Sequence, residues 1–213
     1  MKVYILTGSS KGNNSVSGKI VETLEKSIST DNTNVIKLTK GEIRSSDFDI
    51  NTYKDISESG ILILVFPMYN DSIPSHILHW MVQAEKSLKN ENLTVYAIIN
   101  MGFHEATYGK LVFEILENWC IRAGFKWGYG IGFGAGPVLQ SINLNESFLG
   151  KKIYNEICEL GKIALQKKAK ENSFISPLIP KRVYKFMGNR MLKKIATSIG
   201  EDENFLGRKI EYK

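Results

Sequence analysis

A chain of 213 residues with 43% hydrophobic residues is long enough for one sizeable core. Its net charge of +6 is unevenly spread: residues 1–150 hold 13 Lys and Arg against 15 Asp and Glu, and residues 151–213 hold 15 against 7. The basic excess therefore belongs to the end of the chain, which excludes nucleic acid as the partner of the whole protein.

The apolar run after Met1 is too short for a secretory leader, and no run approaches the ~20 residues that cross a bilayer. Cys120 and Cys158 each stand alone in helical patterns, so neither a disulfide framework nor a metal knuckle is indicated. A cytoplasmic setting is expected.

In chain order, Lys2 to Thr7 reads as a short buried strand, and Val16 to Ile28 as an amphipathic helix after a loop of Gly, Ser and Asn. Asn34 to Leu38 is a polar, near-edge strand, and Gly60 to Phe66 is a near-continuous apolar run of the kind found in central parallel strands. Pro74 opens a helix that continues to about Leu88. Leu93 to Asn100 is another buried strand, followed by a loop and a helix from about Thr107 that stops at Gly124.

Phe125 to Phe133 forms a fifth strand, a glycine loop ends it at Gly132 to Gly136, and a helix runs from about Ser147 to Lys170. Alternation of this kind predicts an α/β fold: a doubly wound, five-stranded parallel sheet of flavodoxin-like order 2-1-3-4-5, over residues 1–172. Residues 173–213 form a basic C-terminal helical extension. Ser173 to Pro180 reads as its connector, and beyond it Ile179, Val183, Met187, Met191, Ile195 and Ile199 recur every four residues among lysines and arginines.

Two loops carry the chemistry. Gly8-Ser9-Ser10-Lys11-Gly12-Asn13-Asn14-Ser15 joins the first strand to a helix, so its backbone amides and the helix dipole make an anion site. It is not a Walker loop, because Asn13 replaces the first glycine before Gly18-Lys19 and Ile20 follows the lysine. The second loop, Pro67-Met68-Tyr69-Asn70-Asp71-Ser72-Ile73-Pro74, lies after the third strand, at the edge where open α/β sheets bind ligands. A third, Asn100-Met101-Gly102-Phe103-His104-Glu105, follows the fourth strand; Gly102 would allow close backbone approach and Phe103 or His104 could face a ligand.

His104-Glu105 lacks the second histidine of a zinc helix, since Tyr108 takes its place, and His76 and His79 lack a third ligand, so no metal is expected. Gly130-x-Gly132-x-Gly134-x-Gly136 has the wrong spacing and the wrong strand for a dinucleotide fingerprint and reads as a tight rim loop. Trp119, Trp127 and Phe125 read as core or subunit contact.

The first two loops resemble those of NAD(P)H-dependent FMN reductases of the flavodoxin-like fold. Thr7 to Ser15 is similar to their phosphate loop, with Ser10 and Lys11 where that family often has Pro and Arg, and Pro67 to Pro74 is similar to their Pro-x-Tyr-Asn-x-Ser-Ile-Pro loop. The resemblance implies that Ser9, Lys11, Asn14 and Ser15 hold the phosphate of FMN. Pro67, Met68, Tyr69, Asn70 and Ser72, with Asn100, Gly102, Phe103 and His104, would line the flavin ring and its ribityl chain.

It further implies an oxidoreductase in which NADH or NADPH passes hydride to FMN N5, with no catalytic side chain needed. A small-molecule electron acceptor or a redox protein then takes the electrons, and a homodimer is expected. A flavodoxin-like electron carrier reduced by a partner protein is the alternative, and a flavin-free binding module the third. The apolar stripe of the basic tail is read first as packing against its own domain or a second subunit, and otherwise as docking on an anionic membrane surface or an acidic partner.

Overall fold

In the computed structural model, which describes residues 1–29, 36–88, 90–202 and 207, the chain divides into two compact units, Met1–Pro177 and Leu178–Lys213. The first holds β1 (Lys2–Thr7), α1 (Val16–Ser29), β2 (Lys37–Glu42), β3 (Ile61–Pro67), α2 (Ser75–Ser87), β4 (Thr94–Asn100), α3 (Lys110–Ala123), β5 (Lys126–Phe133), α4 (Gly136–Ser141), α5 (Phe148–Leu165) and β6 (Ser173–Ile175). The second holds α6 (Lys181–Ser198).

All strands pair in parallel, in the order β2-β1-β3-β4-β5-β6. Every residue of β3 and β4 is buried, as the unbroken apolar runs require of strands covered on both faces. Successive side chains alternate between two cores. Leu62, Leu64 and Phe66 meet Trp80 of α2 and Phe113 of α3, whereas Ile61, Ile63 and Val65 meet Leu24 of α1 and Ile157 of α5. Trp119 and Phe125 are core residues, their rings 5.3 Å apart, and Trp119 Nε1 donates to the Met81 carbonyl (2.9 Å).

Three elements differ from the sequence expectation. The second strand was expected at Asn34 to Leu38; Asn34 and Val35 lie outside the described residues, and β2 runs on to Glu42, in register with Thr7. Its Gly41 is needed because a Cβ there would strike the Tyr4 hydroxyl.

Ser173 to Ile175, expected as connector, is a sixth strand on the outer side of β5. Phe174 packs on Phe113 (5.5 Å between centroids), which anchors this short edge strand. The helix expected to reach Lys170 ends at Leu165, and Lys167 takes φ 51. Among the described residues, no helix is long and apolar enough to cross a membrane.

Candidate functional site

The loops after β1, β3 and β4 emerge from adjacent strands at one edge of the sheet, the C-terminal edge. The first is built as a cradle. Gly8 N donates to Val65 O (2.9 Å), Gly12 N to Ser9 O (3.0 Å), and Gly12 takes φ 58, a left-handed conformation that reverses the chain cheaply only at glycine. Ser15 caps α1: its Oγ accepts from Gly18 N (3.0 Å) and donates to Gly12 O (2.6 Å).

Ser9 is buried, and its Oγ accepts a long bond from Lys11 N (3.4 Å). The hydroxyls of Ser9 and Ser15 thus shape the loop from within, while Lys11 and Asn14 stand at its surface. The first-turn amides of α1 lack partners inside the helix and, with the helix dipole, favour an anion here.

Sequence reasoning missed the residues that hold this cradle in place. His76 Nε2 donates to the Gly8 carbonyl (2.9 Å), joining the first loop to the start of α2. A Cβ at Gly8 would lie 2.6 Å from Ile77 Cγ1, so only glycine lets the loop approach α2 this closely. Arg44, just past β2, pairs with Glu42 (2.7 Å) and lies against Gly12, where an added Cβ would come 2.9 Å from its Cζ. Glu42 holds the guanidinium charged by hydrogen bond and charge, raising its pKa. Nothing local in the sequence marks the contacts of His76 and Ile77 with Gly8 or of Arg44 with Gly12, because each joins segments distant along the chain.

The second loop is a tight hairpin. Tyr69 N donates to Ser72 O (3.1 Å) and Ser72 N to Tyr69 O (3.0 Å), with Asn70 and Asp71 at φ 46 and 60. Two successive positive φ values make a type I′ turn, where Asn and Asp are among the few residues tolerated. The turn raises Tyr69, 44% exposed, at its corner. Asn70 is exposed and Ser72 half-buried, whereas Pro67 and Met68 are buried, Met68 within the core; these two support the loop from beneath.

Asn100 is buried too, and it ties the edge together: its Nδ2 donates to Ser17 Oγ (2.9 Å) and to Phe66 O (3.4 Å), and its carbonyl accepts from Met68 N (2.8 Å). Phe103 is exposed, stacked at a tilt on Tyr108 (5.0 Å between centroids), and His104 is half-buried. A Cβ at Gly102 would meet nothing within 4 Å, so the space above the third loop is open.

The glycine loop after β5, expected at the rim, is buried and buttresses the third loop. Ala135 N donates to Phe103 O (2.6 Å) and Gly136 N to Met101 O (2.8 Å), and at Gly134 a Cβ would strike the His104 carbonyl.

Two polar atoms beside the first loop are buried without a hydrogen-bond partner, Thr7 Oγ1 at the end of β1 and Glu42 Oε1 at the end of β2. Both residues border a cavity of about 490 Å³ between α1 and β2, to the side of the first loop.

The sequence matches no protein-family model, nor any curated protein. Solved structures, by contrast, resemble it over most of its length. Flavodoxin 1 from Bacillus cereus has a TM-score of 0.57 at 13% identity, covering 78% of this chain and 98% of that one. A flavodoxin from Streptococcus pneumoniae TIGR4 also scores 0.57 at 12% identity, covering 78% and 99%. An FMN-dependent NADH-azoreductase from Bacillus anthracis, solved in complex with FMN, scores 0.54 at 13% identity, covering 76% and 98%. With its strand order and its helices on both faces of the sheet, the first unit has the flavodoxin-like fold.

Proposed function

We propose that this protein is an FMN-dependent oxidoreductase that takes reducing equivalents from NADH or NADPH and delivers them to a small-molecule or protein acceptor. The observation that carries the reading is the meeting of three unlike loops at one sheet edge. One is an amide-lined cradle over the start of α1, and the other two raise exposed aromatics, Tyr69 and Phe103, at 44% and 41%. An anionic tail suits the first and a flat heteroaromatic ring the others.

The residues fit FMN in chemistry as well as in place. Backbone amides of the loop and of the first turn of α1, with Lys11 and Arg44 nearby, would hold the phosphate, and Ser9 and Ser15 brace the loop through their bonds to Lys11 N, Gly12 O and Gly18 N. Tyr69, Asn70, Ser72, Gly102, Phe103 and His104 would surround the ring, while Asn100, Met68 and Pro67 fix the loops that carry them. Bound FMN would supply the redox chemistry, and the protein supplies position and polarity. A second subunit would cover the aromatic rim left exposed at Tyr69, Phe103 and Tyr108.

Anaerobic stopped-flow mixing of the FMN-loaded protein with NADH or NADPH tests this. Rapid bleaching of the flavin absorbance is expected. Bleaching only through an added reductase would assign the carrier role instead.

A further inference from the structure

We propose that α6 is an interfacial helix that docks this protein on an anionic lipid bilayer. The inference rests on the second unit alone and is independent of the flavin reading. The helix carries Lys181, Arg182, Lys185, Arg190, Lys193 and Lys194 and no acidic residue. Along it Val183, Met187, Met191 and Ile195 form one row at a spacing of four, widened by Leu192 and by Ile199 at its end; all six are exposed, by 43% to 66%.

At 3.6 residues per turn these side chains sweep about half of the helix circumference. Arg182, Lys185 and Lys193 lie on the opposite half, and Lys181 and Lys194 fall at the margins of the apolar arc, where long aliphatic stems let their charges reach outward. Phe186 is the exception, on the charged side.

This is the pattern of a helix lying in the plane of a headgroup layer: a wide apolar face, a cationic face, and too much charge to span. The other occupants fit less well. A protein groove takes a narrow row of anchors, whereas here the apolar surface is broad and runs the length of an 18-residue helix. A second copy packed on the apolar face would leave the six cations of each helix turned away without counter-charge, since the helix itself carries no acid, whereas anionic headgroups supply it.

Flotation of the full-length protein with vesicles tests the proposal, comparing phosphatidylcholine alone with phosphatidylcholine mixed with phosphatidylglycerol. Binding is expected only to the anionic vesicles and falls as salt is raised. The Met191→Glu/Ile195→Glu variant is expected to lose about tenfold in binding with an unchanged thermal transition of the first unit. Lys193→Glu/Lys194→Glu, which leaves the apolar row intact, is expected to lose it as well.

Absence of binding to anionic vesicles overturns the proposal. So does full binding by the Met191→Glu/Ile195→Glu variant, which would reduce the effect to surface charge. Self-association without vesicles that the same variant abolishes would give this face to a second copy, and capture by an acidic protein with vesicles ignored would give it to a protein partner; either result also overturns it.

Discussion

Asn100 Nδ2 donates to Ser17 Oγ at 2.9 Å, fastening the end of β4 to the first turn of α1 across 83 positions of sequence. Both residues are buried, so the bond is shielded from water, and it holds the first and third loops in one relation. Replacing Asn100 by Ala leaves the Ser17 hydroxyl without this donor. A loss of about 1–3 kcal/mol in stability is expected by urea denaturation. Combined with Ser17→Ala the two losses are expected to be less than additive, the mark of a shared bond.

Gly134 is held against the third loop. A methyl group there would press on the backbone carbonyl of His104, which cannot swing aside as a side-chain end can. Gly134→Ala is expected to cost about 1–3 kcal/mol and to weaken FMN binding by displacing Phe103, whose carbonyl accepts from Ala135. Equilibrium unfolding and a flavin titration on the same preparation read the two effects.

Tyr69 and Phe103 are exposed, so their removal has little effect on folding. Tyr69→Ala and Phe103→Ala are expected to change stability by within about 0.5 kcal/mol. Each is expected to weaken FMN by about 0.5–1.5 kcal/mol, severalfold in Kd, through the lost aromatic contact. Loss of stability without loss of affinity would place both outside the ligand site.

Arg44, beside Gly12, is a cation suited to the phosphate. Arg44→Met is expected to weaken FMN severalfold while leaving riboflavin, which lacks the phosphate, unaffected; isothermal titration with both compounds checks this.

Alkaline pH is expected to unfold the protein in a defined window. Burial, with smaller contributions from the charges of Tyr53 and Asp55, pushes the Tyr4 hydroxyl up to about 12, and burial does the same to Tyr96. An unfolded tyrosine ionises near 10, so between about pH 10 and 12 the folded state holds protons that the unfolded state has released. Stability is complete below that window and falls through it. Tyr4→Phe removes one such group, and its stability is expected to fall less steeply over the same range in a pH series of thermal melts.

The strands that carry the site were legible because they are buried on both faces: Ile61 to Phe66 and Thr94 to Asn100 have no polar residue between their ends except Tyr96. Edge strands left weaker traces. Lys37 to Glu42 is mostly polar, and Ser173 to Ile175 is too short to show any period.

The first two loops were visible through Gly, Asn and Pro, residues that turns require. Which of their side chains turn inward was not visible. The resemblance implied Ser9, Ser15, Met68 and Asn100 as ligand contacts, yet their bonds and burial serve the loops themselves. The contacts of His76 with Gly8 and of Arg44 with Gly12 depend on helix placement and strand register, which no local pattern encodes.

The most direct test of the central claim is titration of the flavin-free protein with FMN, followed by quenching of flavin fluorescence and by the melting temperature. The account predicts saturable quenching at one FMN per chain and a melting temperature that rises with ligand concentration. Unquenched emission and an unmoved melting temperature at excess FMN would contradict it.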